Sequence, residues 1–249
     1  MEAARVSALR GYTVTLFEKN RLGGALLDAS VPVFKADLKP LIKYFVNQMD
    51  ELNIEVVQIE ADAKLITQGG FKSVIIATGA NPVIPEIPGI RRSNVTHAIQ
   101  ILRGKAKIGK KVAVIGGGVV GTEVGLFLAE QNIEVIFIEV LDTFMNGILD
   151  DEKQVYENML KKCRYSVITG KRLESIAPEN IVLADKFGNR DQLEVDTIVL
   201  AVGFQPDRNL IYSLRDHEGL NIYEAGDCVK PRKIYDAIHE GHLAAKLLS

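Results

Sequence analysis

A chain of 249 residues exceeds the usual single-domain size, and 47% hydrophobic with 25% charged residues is the balance of a globular protein able to bury two cores. A formal net charge of −2 without a basic run gives no electrostatic case for nucleic acid, and no apolar stretch approaches the ~20 residues that span a membrane. Cys163 and Cys228 form neither CxxC nor CxxxxC, which argues against a redox disulfide and a metal site, and Met1-Glu-Ala-Ala-Arg5 lacks a signal-peptide pattern, so a cytoplasmic protein is expected.

Residues 2–10 (EAARVSALR) predict a helix capped by Gly11, and Thr13–Glu18 a parallel strand closed by an acid. This reads as the second half of a βαβ unit, since the strand and glycine loop expected ahead of such a helix do not precede it. Arg21-Leu-Gly-Gly24 is a glycine-permitted turn. Leu41, Ile42, Phe45, Val46, Met49 and Leu52 mark the buried face of a helix from about Pro40, with Asn53 suited to a left-handed cap. Ile54–Gln58 and Ser73–Ala77 predict strands, the second running into Ala77-Thr-Gly-Ala80. Asn81–Gly89, with three prolines, predicts an extended connector between domains.

The stretch Lys111–Glu123 then carries the strongest signal in the chain. A β-branched run ends in Gly116-x-Gly118-x-x-Gly121, a helical segment follows, and a second apolar run closes on Glu139, eighteen positions after Gly121. This is the dinucleotide-binding pattern in its required strand–helix–strand context. Gly116 permits a sharp turn, Gly118 lets a pyrophosphate approach the backbone, and Gly121 lets helix and sheet pack closely. The unpaired N–H groups of the first helical turn, from Val119 and Val120 onward, would face phosphate with the helix dipole behind them. Glu139 can accept both ribose hydroxyls, and a 2′-phosphate there would meet a carboxylate with no arginine immediately after it, so NAD(H) is favoured over NADP(H).

Beyond it the pattern predicts a helix near Asp150–Lys162 and a meander of three short strands with a turn at Phe187-Gly-Asn189. An apolar run, Thr197–Val202, is stopped by Gly203; Leu220–Asp227 is a strand ending in Gly226-Asp227, and Ile234–Leu248 is a closing helix. A weak repeat is visible. Helix, strand and terminal acid occur at 2–18 and at 119–139, each followed later by a strand ending in glycine, Gly79 and Gly203.

These motifs together resemble the glutathione reductase-like flavoproteins of the pyridine nucleotide-disulfide oxidoreductase superfamily. The match is nearest to the reductase part of the 2,4-dienoyl-CoA reductase, trimethylamine dehydrogenase and enoate reductase group of old yellow enzyme-like NADH:flavin oxidoreductases. The resemblance rests on Glu2–Arg5, Phe17–Lys19 with Arg21–Gly24, Phe34–Asp37, Ala77–Ala80, Val112–Glu123, Ala225–Cys228 and Ala237–Gly241. It implies an α/β chain of two Rossmann-like domains, an NAD(H) domain at 106–213 inserted into a discontinuous FAD-type domain at 1–105 and 214–249. By that resemblance Glu18 would hold the FAD adenosine ribose, Arg21 and Gly24 would lie along the cofactor, and Ala77, Thr78 and Gly79 would pass close to it. Gly226 and Asp227 would meet its ribityl or pyrophosphate region, Glu123 would sit near the nicotinamide, and Gly203 would flank the dinucleotide. Taken singly, each of these acids is more often a solvated strand-end residue. His239 and His242 receive no role, and no nucleophile–base pair stands out.

Two departures qualify the resemblance. The family's barrel domain with FMN and an iron–sulfur cluster is absent from this sequence, and so is the first strand of the FAD-type domain with its glycine loop. The expectation is a truncated reductase module passing hydride from NADH to FAD and onward to a separate FMN/iron–sulfur domain or partner chain, with FAD affinity strongly reduced. The alternative is a flavin-free NAD-binding or interaction module. An unfilled sheet slot would also favour self-association.

Overall fold

Each predicted segment near the start forms in the computed structural model, which describes residues 1–249. Helix α1 (Glu2–Leu9) ends where Gly11 turns at φ +88°, and β1 (Thr15–Phe17) follows. A short helix that sequence reading did not propose, α2 (Ala25–Ala29), comes after Gly23 and Gly24. Helix α3 (Leu38–Glu51) begins two residues before Pro40, which falls in the first turn, where a missing N–H costs no helical bond. Its buried residues, Phe45 and Met49, lie one turn apart, and Asn53 takes the left-handed conformation at φ +50°. Strand β2 (Glu55–Val57) pairs in parallel with β1, Thr15 opposite Glu55. Helix α4 (Ala63–Gln68) is capped by Asp62, whose carboxylate accepts the Leu65 N–H at 2.7 Å, and β3 (Ser73–Ile76) and β4 (Ala80–Pro82) complete this part.

The chain then builds a second unit, residues 82–203. In order come β5 (Val95–His97), α5 (Ala98–Leu102), β6 (Lys111–Ile115), α6 (Val119–Ala129), β7 (Glu134–Ile138), α7 (Asp150–Leu160) and β8 (Tyr165–Ile168). The meander β9 (Lys171–Ile176), β10 (Asn180–Asp185) and β11 (Arg190–Glu194) is antiparallel, and β12 (Thr197–Leu200) closes the unit. Five strands form one parallel sheet in the order β5-β12-β6-β7-β8. The three-stranded meander with its turn at Phe187-Gly-Asn189 forms as expected, and Tyr165–Ile168, a strand that sequence reading did not single out, extends the parallel sheet beside β7.

The inner strands read as continuous apolar runs because both faces are covered. Ala113, Ile115, Ile136, Ile138, Ile198 and Leu200 pack against Leu173, Ile176, Ile181 and Leu183 of the meander. On the helical side Phe137 meets α6 at Gly125, where an added Cβ would lie 2.1 Å from the ring.

Residues 204–249 return to the first unit, which comprises 1–81 and 204–249. They supply β13 (Phe204–Pro206), α8 (Asn209–Leu214), β14 (Asn221–Glu224) and α9 (Ile234–Lys246). Strand β14 pairs in parallel with β3. The parallel strands of this unit therefore form two separate pairs, β1-β2 and β3-β14. Phe17 of β1 packs into the cluster of Ile66, Ile76, Ile211, Leu214 and Cys228, so side chains join what the backbone does not. Helix α1 packs on α9, where Glu2 takes Arg5 at 2.8 Å and faces His242 Nδ1 at 3.2 Å.

Candidate functional site

The glycine loop of unit 2 lies between the end of β6 and the start of α6, at the carboxyl edge of the parallel sheet. Its three glycines are not there for the same reason. Gly116 takes φ +107°, and a Cβ on it would lie 2.4 Å from the Ala201 carbonyl oxygen. Gly121 sits against the Gly116 carbonyl, which an added Cβ would meet at 1.9 Å. Both are demanded by the fold itself.

Gly118 is different. Its φ of −77° and ψ of −168° suit any residue, and the nearest atom to an added Cβ is the Asn146 oxygen at 3.8 Å. Neither backbone conformation nor packing requires glycine there, so what the absent side chain leaves open is space above the loop. Gly118 is also the N-cap of α6 and supplies no side-chain cap. The Val119, Val120 and Gly121 N–H groups, in the first turn, thus have no helical acceptor and point out of the helix end.

Glu139 follows β7 directly and is 6% exposed. One carboxylate oxygen accepts the Gly117 N–H at 2.7 Å and the other accepts the Leu141 N–H at 2.9 Å. The fold therefore brings it to the glycine loop, as the spacing suggested, and also ties it into that loop. Glu123, on α6, accepts a 2.7 Å hydrogen bond from the Tyr156 hydroxyl of α7. Tyr156, 5% exposed, was missed by sequence reading; its only signal is its one-turn spacing from buried Leu160 on an otherwise charged helix. Gly203 follows β12 at φ +112° with nothing within 4 Å of an added Cβ.

The remaining candidates lie in unit 1. Glu18 follows β1 directly and accepts the Asn20 N–H at 2.8 Å with one oxygen, while its other oxygen makes no hydrogen bond. Arg21 is exposed, and Gly24 takes φ +53°. Ala77 and Thr78, both exposed, follow β3; the Thr78 hydroxyl donates to the Asp207 carbonyl at 2.6 Å, and Gly79 turns at φ +80°. After β14, Gly226 takes φ +76° and donates its N–H to Glu240 on α9 at 2.9 Å. Asp227 accepts the Arg232 N–H at 3.2 Å, and burial raises its carboxyl above the ordinary range despite that bond. Glu240, which also pairs with Arg232, is a second contributor that sequence reading missed.

The chain's residues 1–241 match the pyridine nucleotide-disulphide oxidoreductase family. A bilirubin reductase from Mediterraneibacter gnavus is 35% identical over the whole chain, and a cinnamate reductase from Clostridium sporogenes is 31% identical over 99% of it. The alignments cover 39% and 37% of those proteins, so the chain spans about two fifths of their length. A solved 2-naphthoyl-CoA reductase, in complex with 2-naphthoyl-CoA, superposes with a TM-score of 0.93 at 29% identity, over 99% of this chain and 38% of that one. The thioredoxin reductase of T. acidophilum shares the fold, with a TM-score of 0.74 at 21% identity over 98% and 92% of the two chains. Members of the family are oxidoreductases that bind FAD and NAD(P)H. The chain belongs to the pyridine nucleotide-disulphide oxidoreductase family, within its enoate reductase and trimethylamine dehydrogenase group.

Proposed function

We propose that this chain is the NADH-handling part of a flavin-dependent reductase, in which residues 82–203 bind NADH and the unit made of 1–81 and 204–249 holds FAD. The observation that carries the reading is Gly118, a glycine with no conformational or packing reason at the mouth of a helix whose first N–H groups have no helical acceptor. Gly116, Val119, Val120 and Gly121 would cradle the pyrophosphate. Glu139, although bonded to two amides, keeps lone pairs for the adenosine ribose, since a carboxylate offers about four acceptor sites. Its charge, with Asp142 close behind in sequence, favours NADH over NADPH. Glu123, held by Tyr156, and Gly203 would border the nicotinamide end.

For FAD, the fit rests on two strand-end carboxylates with unused acceptors. Glu18 would take the adenosine ribose and Asp227 the ribityl or pyrophosphate region, with Arg21, Gly24, Ala77, Thr78, Gly79 and Gly226 along the cofactor. When bound, the flavin supplies the hydride acceptor, and the protein's own part is to bind, orient and exclude water. Onward electron transfer to a domain bearing FMN and an iron–sulfur cluster belongs to the same proposal, and the relatives' greater length supports it. The second reading, an NAD-binding module without flavin, is favoured by the split parallel pairing of the FAD-type unit.

NADH fluorescence titration of the purified chain and of Gly118→Val tests the reading. The variant is expected to melt like the parent but to lose roughly a hundredfold or more in NADH affinity, because its side chain enters the phosphate space. Equal affinity would overturn it. An absorbance spectrum after incubation with FAD and desalting separates the two readings, retained flavin bands supporting the first and a colourless NADH-binding protein the second.

A further inference from the structure

Gly117 is gripped on both of its peptide units. Its N–H donates to Glu139 at 2.7 Å, and its carbonyl accepts the Met145 N–H at 2.9 Å and the Thr122 hydroxyl at 3.3 Å. The segment making the second grip is itself held firmly. Met145 is 2% exposed and sits at φ +61°, a left-handed conformation that a non-glycine residue keeps only when its surroundings impose it. The Phe144 ring occupies the space beside Gly117, where an added Cβ would meet it at 2.7 Å, and packs on Phe137 with centroids 4.9 Å apart.

A consequence follows from the planarity of the peptide bond. In a trans peptide the N–H of the following residue points opposite to the carbonyl. With the Gly117 carbonyl fixed on Met145 and Thr122, the Gly118 N–H is aimed the other way, away from those donors. The Gly117 N–H lies in the preceding peptide unit, so Glu139 fixes the plane that enters Gly117 while Met145 and Thr122 fix the plane that leaves it, and together they set the backbone conformation from which the Gly118 N–H is aimed.

We infer that Glu139 is a positioning residue of the glycine loop, contributing to dinucleotide binding chiefly by holding the Gly117 and Leu141 amides rather than through the ribose diol. The inference rests on the reading of unit 2 as a dinucleotide-binding unit. It is favoured by the placement of both carboxylate oxygens on backbone amides and by the burial of the residue, which is 6% exposed. A buried amide that loses its acceptor has either to remain unpaired or to turn elsewhere, and either outcome misaims the loop.

Two ligands differing only in the ribose hydroxyls decide the matter: ADP and 2′,3′-dideoxy-ADP, titrated by calorimetry well below each protein's melting transition. Glu139→Gln keeps the shape but can accept only one of the two amides. It is expected to weaken both ligands by the same factor, about tenfold. Thr122→Val loosens the carbonyl side with Glu139 intact and is expected to weaken both by about threefold. A Glu139→Gln effect confined to ADP, with dideoxy-ADP unchanged, would overturn the proposal while leaving the dinucleotide reading standing. If Glu139→Gln does not fold, the unaltered protein decides: ADP and 2′,3′-dideoxy-ADP are expected to bind it within about threefold of one another, and a loss of about tenfold or more on removing the hydroxyls would overturn the proposal. Failure of the unaltered chain to bind ADP or NADH overturns the dinucleotide reading itself, and this inference with it.

Discussion

Unit 2 carries five parallel strands in one sheet, whereas unit 1 carries four in two separate pairs. In unit 2, β6 lies between β12 and β7 with Val112, Ala113 and Val114 all 0% exposed. Strands β1, β2 and β14 of unit 1 contain no buried residue, and β3 contains only Ile76. The strand that is paired on both edges and covered on both faces is also the one that delivers the glycine loop. Core formation and the ordering of the glycine loop are thus one event in this fold. Where the sheet is continuous, the loop is preorganised by the same hydrogen bonds that stabilise the unit. Where it is in two pieces, the candidate ligands sit on separate strand ends held together by side chains such as Phe17.

The largest effect should come from overfilling the continuous unit. Gly125→Val places a side chain where Phe137, fully buried, has no room to retreat, and the expected cost is about 1–3 kcal/mol or more, seen as a lower melting point for unit 2. A contrasting change in unit 1, Gly241→Ala on α9, meets nothing closer than 3.4 Å and should be neutral or stabilising by about 0.5 kcal/mol. Equal destabilisation by both would break the contrast. Next, amide hydrogen exchange should run faster in β1 and β3, each with one edge unpaired by any strand, than in β6 and β12, by about tenfold or more; equal protection would show that side-chain packing compensates fully. The smallest effect concerns Asp227. Its carboxyl is raised by burial, so the folded protein holds the proton more tightly than the unfolded chain, and stability falls as pH rises above the ordinary value of 3.8. Asp227→Asn removes that penalty, and unit 1 should melt slightly higher than the parent at pH 7, the difference vanishing below about pH 4. A variant less stable at pH 7 would show that the Arg232 contact outweighs burial.

Much of this architecture was legible because several signals coincided. The β6–α6–β7 segment combined β-branched runs, glycines at fixed offsets and a terminal acid. The long helices α3 and α9 announced themselves by apolar spacing and by Asn53. The short helices α2, α4, α5 and α8 did not, because five or six residues hold less than two turns of pattern. At the site, the residue types could be read but their partners could not. Nothing local reveals that Glu139 would bond Gly117 and Leu141, that Tyr156 would reach Glu123 from another helix, or that Glu240 would accept the Gly226 amide. Those pairings depend on how separate elements pack, which spacing along the chain does not encode.

The two thiols give the comparison of the units a chemical readout. Cys228 is fully buried in unit 1, its sulfur donating to the carbonyls of Ile76 and Ala225 at 3.2 Å, a small staple where β3 and β14 end side by side. Cys163, in unit 2, is only half-buried, and burial pushes both thiols above their ordinary range. An alkylating reagent can therefore reach Cys163 from the native surface, but Cys228 only when the strand ends part. The ratio of the two modification rates is a clock for the opening of unit 1, and it needs no engineered probe.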